Sequence, residues 1–263
     1  MGKLGLEEKV VDAETLLKTA QQFKSRGIKL PTFEQLQDPR KIPDDIKKAL
    51  LEIDPDEAHP LNLYRVHWYN DPQSREFRSV PWYFEVPSVL TGTKCKIVVM
   101  VGAWFPMVNC QKVIAAYGCL APRVITGQFD PTKHYAIWPS TGNYCRGGVA
   151  ISKLMNCHGV AILPEQMSVE RFNWLNKWLM DPEKDLHKTY GCESNVKEIY
   201  DKCNELDKDP KNIIFNQFCE FGNTIAHYAC TGKALDNVFK DMQNINPDLK
   251  LRGYSGATGS AGR

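Results

Sequence analysis

The sequence has no apolar stretch long enough to span a bilayer. Its longest run, Ile97 to Val108, is interrupted by Gly102 and Pro106. The opening residues, MGKLGLEEKVVDAE, lack the apolar core of a signal peptide, and Leu6 stands where myristoylation at Gly2 would require Ser or Thr. Charge of one sign is also scarce: 33 Lys plus Arg stand against 31 Asp plus Glu, a formal +2. So small a surplus implies neither a nucleic-acid partner nor a membrane surface. The 9 cysteines are an odd count, and no two have CxxC spacing, so neither a zinc knuckle nor a thioredoxin-type site is signalled and no metal is expected. Free thiols in a reducing, cytoplasmic environment are the simplest expectation. What is present is ordinary globular composition: 263 residues, 43% hydrophobic and 24% charged, enough for one large domain or two ordinary ones.

Residues 1 to about 57 read as a charged helical extension. Val10, Val11, Leu16, Leu17 and Ala20 recur at roughly helical spacing before Gly27 and Pro31, and a second short helix runs from Ile42 to Ile53. The aromatic-rich stretch from Tyr64 to Tyr83 reads as a loop pinned to a core by large side chains. From Cys95 onward strand and helix signals alternate. Lys96–Val101 is a continuous apolar run, as in a strand buried on both faces. Helices are expected at Gln111–Val124, Arg146–Met155, Ser168–Leu179, Ser194–Leu206 and Lys233–Met242. Strands are expected at His134–Trp138, Gly159–Leu163, Ile213–Phe215 and Leu249–Tyr254. Such alternation predicts an α/β fold with mostly parallel sheets and helices on both faces.

Three loops beside these elements carry chemistry-bearing residues, and in open α/β sheets ligands bind at the carboxyl ends of strands. The first, Trp104 to Lys112, ends in a lysine at a helix start, where the positive end of the helix disfavours an ammonium and suits an amine that attacks a carbonyl. On its own a lysine such as Lys112 is more often a solvated surface residue, and the spacing carries little information. The second, Pro139-Ser140-Thr141-Gly142-Asn143, places hydroxyls and an amide before a helix, either as donors for a carboxylate or phenolate or as a capped tight turn. In the third, Ser255-Gly256-Ala257-Thr258-Gly259-Ser260-Ala261-Gly262, glycines let backbone N–H groups wrap a phosphate while Thr258 and Ser260 add hydroxyls. This last loop is also similar to the glycine loop of nicotinamide-dependent enzymes, which normally opens its domain, whereas here only Arg263 follows.

Taken together the loops resemble fold type II pyridoxal 5′-phosphate (PLP) enzymes, the group of tryptophan synthase β and cysteine synthase. Lys112 matches the position of the family's Schiff-base lysine. Ser140-Thr141-Gly142-Asn143 looks like its substrate-carboxylate loop and lies 31 residues further on. Pro164-Glu165-Gln166-Met167-Ser168-Val169-Glu170-Arg171 is similar to a helix start of cysteine synthases. Asn216-Gln217-Phe218, His227-Tyr228 and Thr231-Gly232 look like the stretch preceding the phosphate loop. In place of the Gly-Ala-His that precedes the lysine of tryptophan synthase β, Asn109-Cys110-Gln111 stands here.

The resemblance implies a two-domain fold: an N-terminal helical and aromatic-rich extension over 1–92, a larger PLP domain from 93–106 and 211–263, and a smaller α/β domain over 107–210. The family continues beyond the stretch matched here, so the larger domain is expected to lack its last part. Implied too are a Schiff base between Lys112 and the cofactor, and contact of Asn143 with the cofactor's 3′-oxygen. Gly256, Ala257, Thr258, Gly259 and Ser260 would hold the phosphate, and Ser140, Thr141, Gly142 and Gln217 the substrate. The expected activity is that of a lyase or β-replacement enzyme on a small amino acid, with homodimerisation common in the family. The alternatives are a catalytically inactive truncated relative serving as an interaction module and, through the last glycine loop, a nicotinamide-binding protein. Cys110, Cys145, His227, Trp104 and Trp138 read as structural, and Glu193 with Lys197 as a solvated (i, i+4) helix pair.

Overall fold

The computed structural model describes residues 7–257, 259 and 260. The N-terminal segment forms helices α1 (Ala13–Ser25), α2 (Phe33–Gln37) and α3 (Asp44–Glu52). Asp12 caps α1 by accepting the N–H groups of Glu14 and Thr15, and Thr32 caps α2 in a reciprocal capping box with Gln35. The buried face of α1 carries Thr19 and Phe23, whereas Val10, Val11 and Leu17 are exposed. The apolar stripe therefore lies in a different helical phase from the expected one. The expected extension is built into the body: Phe23, Ile28, Leu36, Leu63 and Val66 belong to the main apolar core. The aromatic loop is pinned as expected, with Tyr64 and Tyr69 buried and the Trp68 ring set edge-on to Phe105 at 4.9 Å.

Strand β1 (Tyr83–Val86), a short helix α4 (Ser88–Thr91) and strand β2 (Ile97–Met100) make an antiparallel two-stranded ribbon. The doubly buried strand expected at Lys96–Val101 is corrected here: burial alternates along β2, with Ile97 and Val99 exposed and Val98 and Met100 partly buried, so one face of the ribbon is open to solvent. The strand expected at Leu249–Tyr254 does not form; it is exposed chain without regular structure or sheet partner.

The centre is a parallel sheet. Helix α5 (Lys112–Ile125) leads to β3 (Tyr135–Pro139), α6 (Asn143–Leu154), β4 (His158–Pro164), α7 (Val169–Trp178), α8 (Pro182–Asp185), β5 (Leu186–Thr189), α9 (Val196–Leu206) and β6 (Asn212–Ile214). The strand order is β5-β4-β3-β6, with Ile137 facing Val160 on one side and Ile214 on the other. Alternation along the strands divides the core: Ala136, Trp138, Ala161 and Leu163 face the α5–α6 side, while Ile137, Val160 and Ile162 pack with Ile199 and Cys203 of α9. Strand β6 hydrogen-bonds to β3 and completes the four-stranded sheet. Strand β5 went unread because Leu186–Thr189 carries His and Lys on a sheet edge, without an apolar run.

Helix α5 is apolar nearly all round and buried along most of its length. It runs against α10 (Phe221–Ala226), which continues through a π-turn at His227–Gly232 into α11 (Lys233–Ile245). Glycines let α5 and α10 meet backbone to backbone: a Cβ on Gly222 would lie 2.3 Å from the Gly118 carbonyl oxygen. Beside this crossing the Arg123 guanidinium donates to Glu220 at 2.7 Å in a buried ion pair. Burial still holds the Glu220 carboxyl above its usual range, with Arg123 opposing the shift.

Two predictions follow from this packing. Gly222→Ala should destabilise the fold by about 1–3 kcal/mol, seen as a lowered urea midpoint, whereas Gly253→Ala, with open space around its Cβ, should leave the midpoint in place. His67 is fully buried, and burial, followed by the Arg65 charge, lowers its pKa to about 3. A base depressed in the native state contributes fully above its unfolded value of about 6.5, and that stability is lost as the pH falls toward 3. Stability should drop by about 2 kcal/mol between neutrality and pH 5, and His67→Asn should flatten that slope in denaturant titrations.

Candidate active site

Strand β3 ends at Pro139, and the Ser140–Gly142 turn delivers the chain into α6, whose first turn has no side-chain cap. The N–H groups of that turn are therefore available to a ligand, reinforced by the positive end of the helix. Lys112 opens α5 alongside. Two adjacent glycines set the spacing between the helices: a Cβ on Gly147 would lie 2.9 Å from the Lys112 carbonyl oxygen, and one on Gly148 would lie inside the Trp138 ring, at 1.9 Å. Gln217 arrives just past β6, and Ala257, Gly259 and Ser260 lie on the opposite wall.

These groups surround a cavity of about 370 Å³, in the size range of small-molecule sites. Lys112, Ser140, Thr141, Gly142 and Asn143 line it, as do Gln217, Ala257, Gly259 and Ser260. The Lys112 Nζ donates to Gln217 Oε1 at 3.1 Å and to Ser260 Oγ at 3.5 Å. Gln217 Nε2 in turn donates to Ser140 Oγ at 3.4 Å, and the Gly142 N–H to the same oxygen at 3.3 Å. Asn223 holds the far wall, donating from Nδ2 to Ser260 Oγ at 3.0 Å and to the Gln217 carbonyl at 3.2 Å. Its Oδ1 is buried, with no hydrogen-bond partner among the described residues. Gly256 does not line the cavity; a Cβ there would meet the Tyr254 hydroxyl. Thr258 lies outside the described residues.

Five further residues line the cavity and were not assigned to the site from sequence: Tyr144, Arg171, Glu193, Phe218 and His227. His227 is buried, its Nδ1 2.9 Å from Thr231 Oγ1, which also accepts the Trp68 indole N–H at 2.9 Å. The expected Glu193–Lys197 pair does not form. Glu193 precedes α9 and reaches Arg171 Nη1 at 3.1 Å, while Lys197 bonds Asp201. Arg171 belonged to the helix-start motif, so its position was legible in the sequence; its approach to the Gly142 turn was not.

The thiols beside the cavity are unsuited to nucleophilic chemistry. Burial pushes the pKa of Cys145 up to about 12, and that of Cys119 likewise. Trp138 is core, as expected, but Trp104 is exposed. All nine cysteines are free. The described residues contain no cluster of metal-ligating side chains and no helix long and apolar enough to cross a membrane.

The architecture is the α/β fold of cysteine synthase and its structural relatives, as the sequence resemblance implied. Neither a family model nor a curated protein matches the chain. Solved structures do. A hydrogen sulfide-producing enzyme from Fusobacterium nucleatum matches at 23% identity with a TM-score of 0.52, over 62% of this chain and 50% of its own. The cysteine synthase of Entamoeba histolytica matches at 19% identity and a TM-score of 0.51, over 62% of this chain and 46% of its own. An O-acetylserine dependent cystathionine beta-synthase from Helicobacter pylori matches at 16% identity and 0.51, over 59% and 49%. At such identities the likeness is one of fold, and the chain spans about half the length of these structures.

Native alkylation should separate the thiols by exposure. Iodoacetamide is expected to label Cys95, Cys192 and Cys219 within minutes, and to leave Cys119, Cys145 and Cys157 unlabelled until denaturant is added. Peptide mass spectrometry reads the result directly, and rapid labelling of Cys145 would contradict the described packing around α6.

Proposed function

We propose that this chain binds PLP on Lys112 and acts as a lyase or β-replacement enzyme on a small amino acid. The observation that carries the reading is the convergence of one amine, Lys112 Nζ, with Gln217 and Ser260 in the cavity that also holds the Ser140–Asn143 turn. The likeness of fold to cysteine synthase supports it. The donor set fits an anionic aldehyde: a primary amine, the hydroxyls of Ser140, Thr141 and Ser260, and the open first turn of α6. Among the described lining residues the one carboxylate is that of Glu193, with its side chain 64% exposed.

The bound cofactor would supply an electron-withdrawing ring that makes the α-proton of an attached amino acid acidic. The work of the protein's own groups follows from their placement. Lys112 would hold the cofactor through its Nζ, and the same amine would be placed to take the α-proton of a substrate seated on the α6 turn. Ser140, Thr141 and the first turn of α6 would receive the substrate carboxylate, with Gln217 bridging that turn to the lysine. Asn143 would orient the ring through its 3′-oxygen, and Gly259 and Ser260, with Ala257 beside them, would hold the phosphate. Asn223 keeps Ser260 in place.

The test is reductive trapping. Protein incubated with PLP and borohydride should gain about one equivalent of cofactor, carried on the peptide containing Lys112. Lys112→Ala should abolish both the labelling and the visible absorbance band, and Ser260→Ala should weaken cofactor binding by about tenfold. Absence of any trapped cofactor on the wild-type chain would overturn the reading.

A further inference from the structure

Among the described residues one lysine and one arginine line the cavity, and of these only Lys112 has a part in the function proposed above. At the end lined by the Ser140–Asn143 turn, two guanidinium groups bracket the start of α6. Arg171, from α7, lies flat against Gly142: a Cβ there would be 3.6 Å from its Cζ and 3.7 Å from both Nε and Nη2. Arg146 donates from Nη1 to Asn143 Oδ1 at 3.3 Å, and its guanidinium lies 4.9 Å over the Trp174 ring of the same α7. The two cations sense one another. Burial first, and then the Arg171 charge, lower the Arg146 pKa.

Among the described residues the one lining carboxylate is that of Glu193. Its side chain is mostly in water and touches Arg171 through one oxygen on one nitrogen, Nη1, which also faces Met167 Sδ at 3.2 Å. An exposed, single-point ion pair of this kind is worth little and is readily exchanged for a better-placed anion. A planar guanidinium, by contrast, is suited to two-point recognition of a carboxylate or phosphate.

We propose that Arg171 recognises a second anionic group, carried on the side chain of the amino-acid substrate, which takes the guanidinium in exchange for Glu193. The substrate class is then an amino acid with an acidic or phosphorylated side chain. Its α-carboxylate would lie on the first turn of α6, and its second charge would lie one step outward, toward α7. The inference rests on the reading of the cavity as an amino-acid site.

The experiment compares matched pairs that differ in side-chain charge, L-aspartate against L-asparagine and O-phospho-L-serine against L-serine. Binding is measured by titration calorimetry on the PLP-saturated protein, the first pair being free of a β leaving group. At least one acidic member should bind about tenfold or more tightly than its neutral partner. Arg171→Met should reduce that preference to less than about threefold while leaving the neutral ligands' affinity in place, and Glu193→Gln should tighten the acidic ligand. The aspartate and phosphoserine arms distinguish a carboxylate from a phosphate as the preferred group. Equal affinity within both pairs, or a preference that survives Arg171→Met, overturns the inference. If borohydride still traps cofactor on Lys112 in that case, the reading of the cavity stands; if it traps none, both fall together.

Discussion

The seating of α6 on its neighbours is the constraint on which the cavity depends. Two adjacent glycines remove the side chains that would otherwise separate this helix from the α5 backbone at Lys112 and from the Trp138 ring on β3. Trp138 is then enclosed: its indole N–H donates to Ser152 at 2.9 Å, and its ring stacks on Phe215 at 4.5 Å. With α6 fixed on both surfaces, the amine that opens α5 and the turn that opens α6 face one space. A side chain at Gly148 would be met by an aromatic ring with no room to retreat, so the helix would have to lift and carry the turn with it.

The opposite wall is held by a different kind of interaction. The helix that begins with α10 is anchored by glycine contact and by the buried Arg123–Glu220 pair, and from this base Asn223 reaches Ser260 and the Gln217 backbone. A buried ion pair adds little net stability, because desolvation offsets most of its attraction. It does penalise arrangements in which either charge is left alone. The Trp68–Thr231–His227 chain extends this specification to the N-terminal part of the protein, tying the aromatic loop to the wall of the cavity.

Much of the fold was legible because local physics and tertiary demand agree there. Helix α9 ends before Pro210, the central strands are short apolar runs, and Lys112 and Ser140–Asn143 each stand at a helix start. The failures have equally specific causes. Ile97–Met100 reads as a doubly buried strand because it is a continuous apolar run, and composition does not reveal that one face of the ribbon is left to solvent. Leu249–Tyr254 has strand-like residues but no neighbouring edge. Glu193 and Lys197 have helical spacing, but the helix begins at Val196, so the geometry that would pair them is absent.

Residue order by itself determined the parallel α/β architecture, since strand and helix periodicities are properties of neighbouring residues, and it determined which short motifs carry an amine, hydroxyls and an amide. The tertiary structure alone decided that Lys112, Gln217 and Ser260 meet, that Gly256 turns away from their cavity, and that Arg171 lies over Gly142 with Glu193 as its partner. Distances between residues far apart in sequence are set by how closely helices and sheet can approach. That approach is a collective result of packing, which no local pattern encodes.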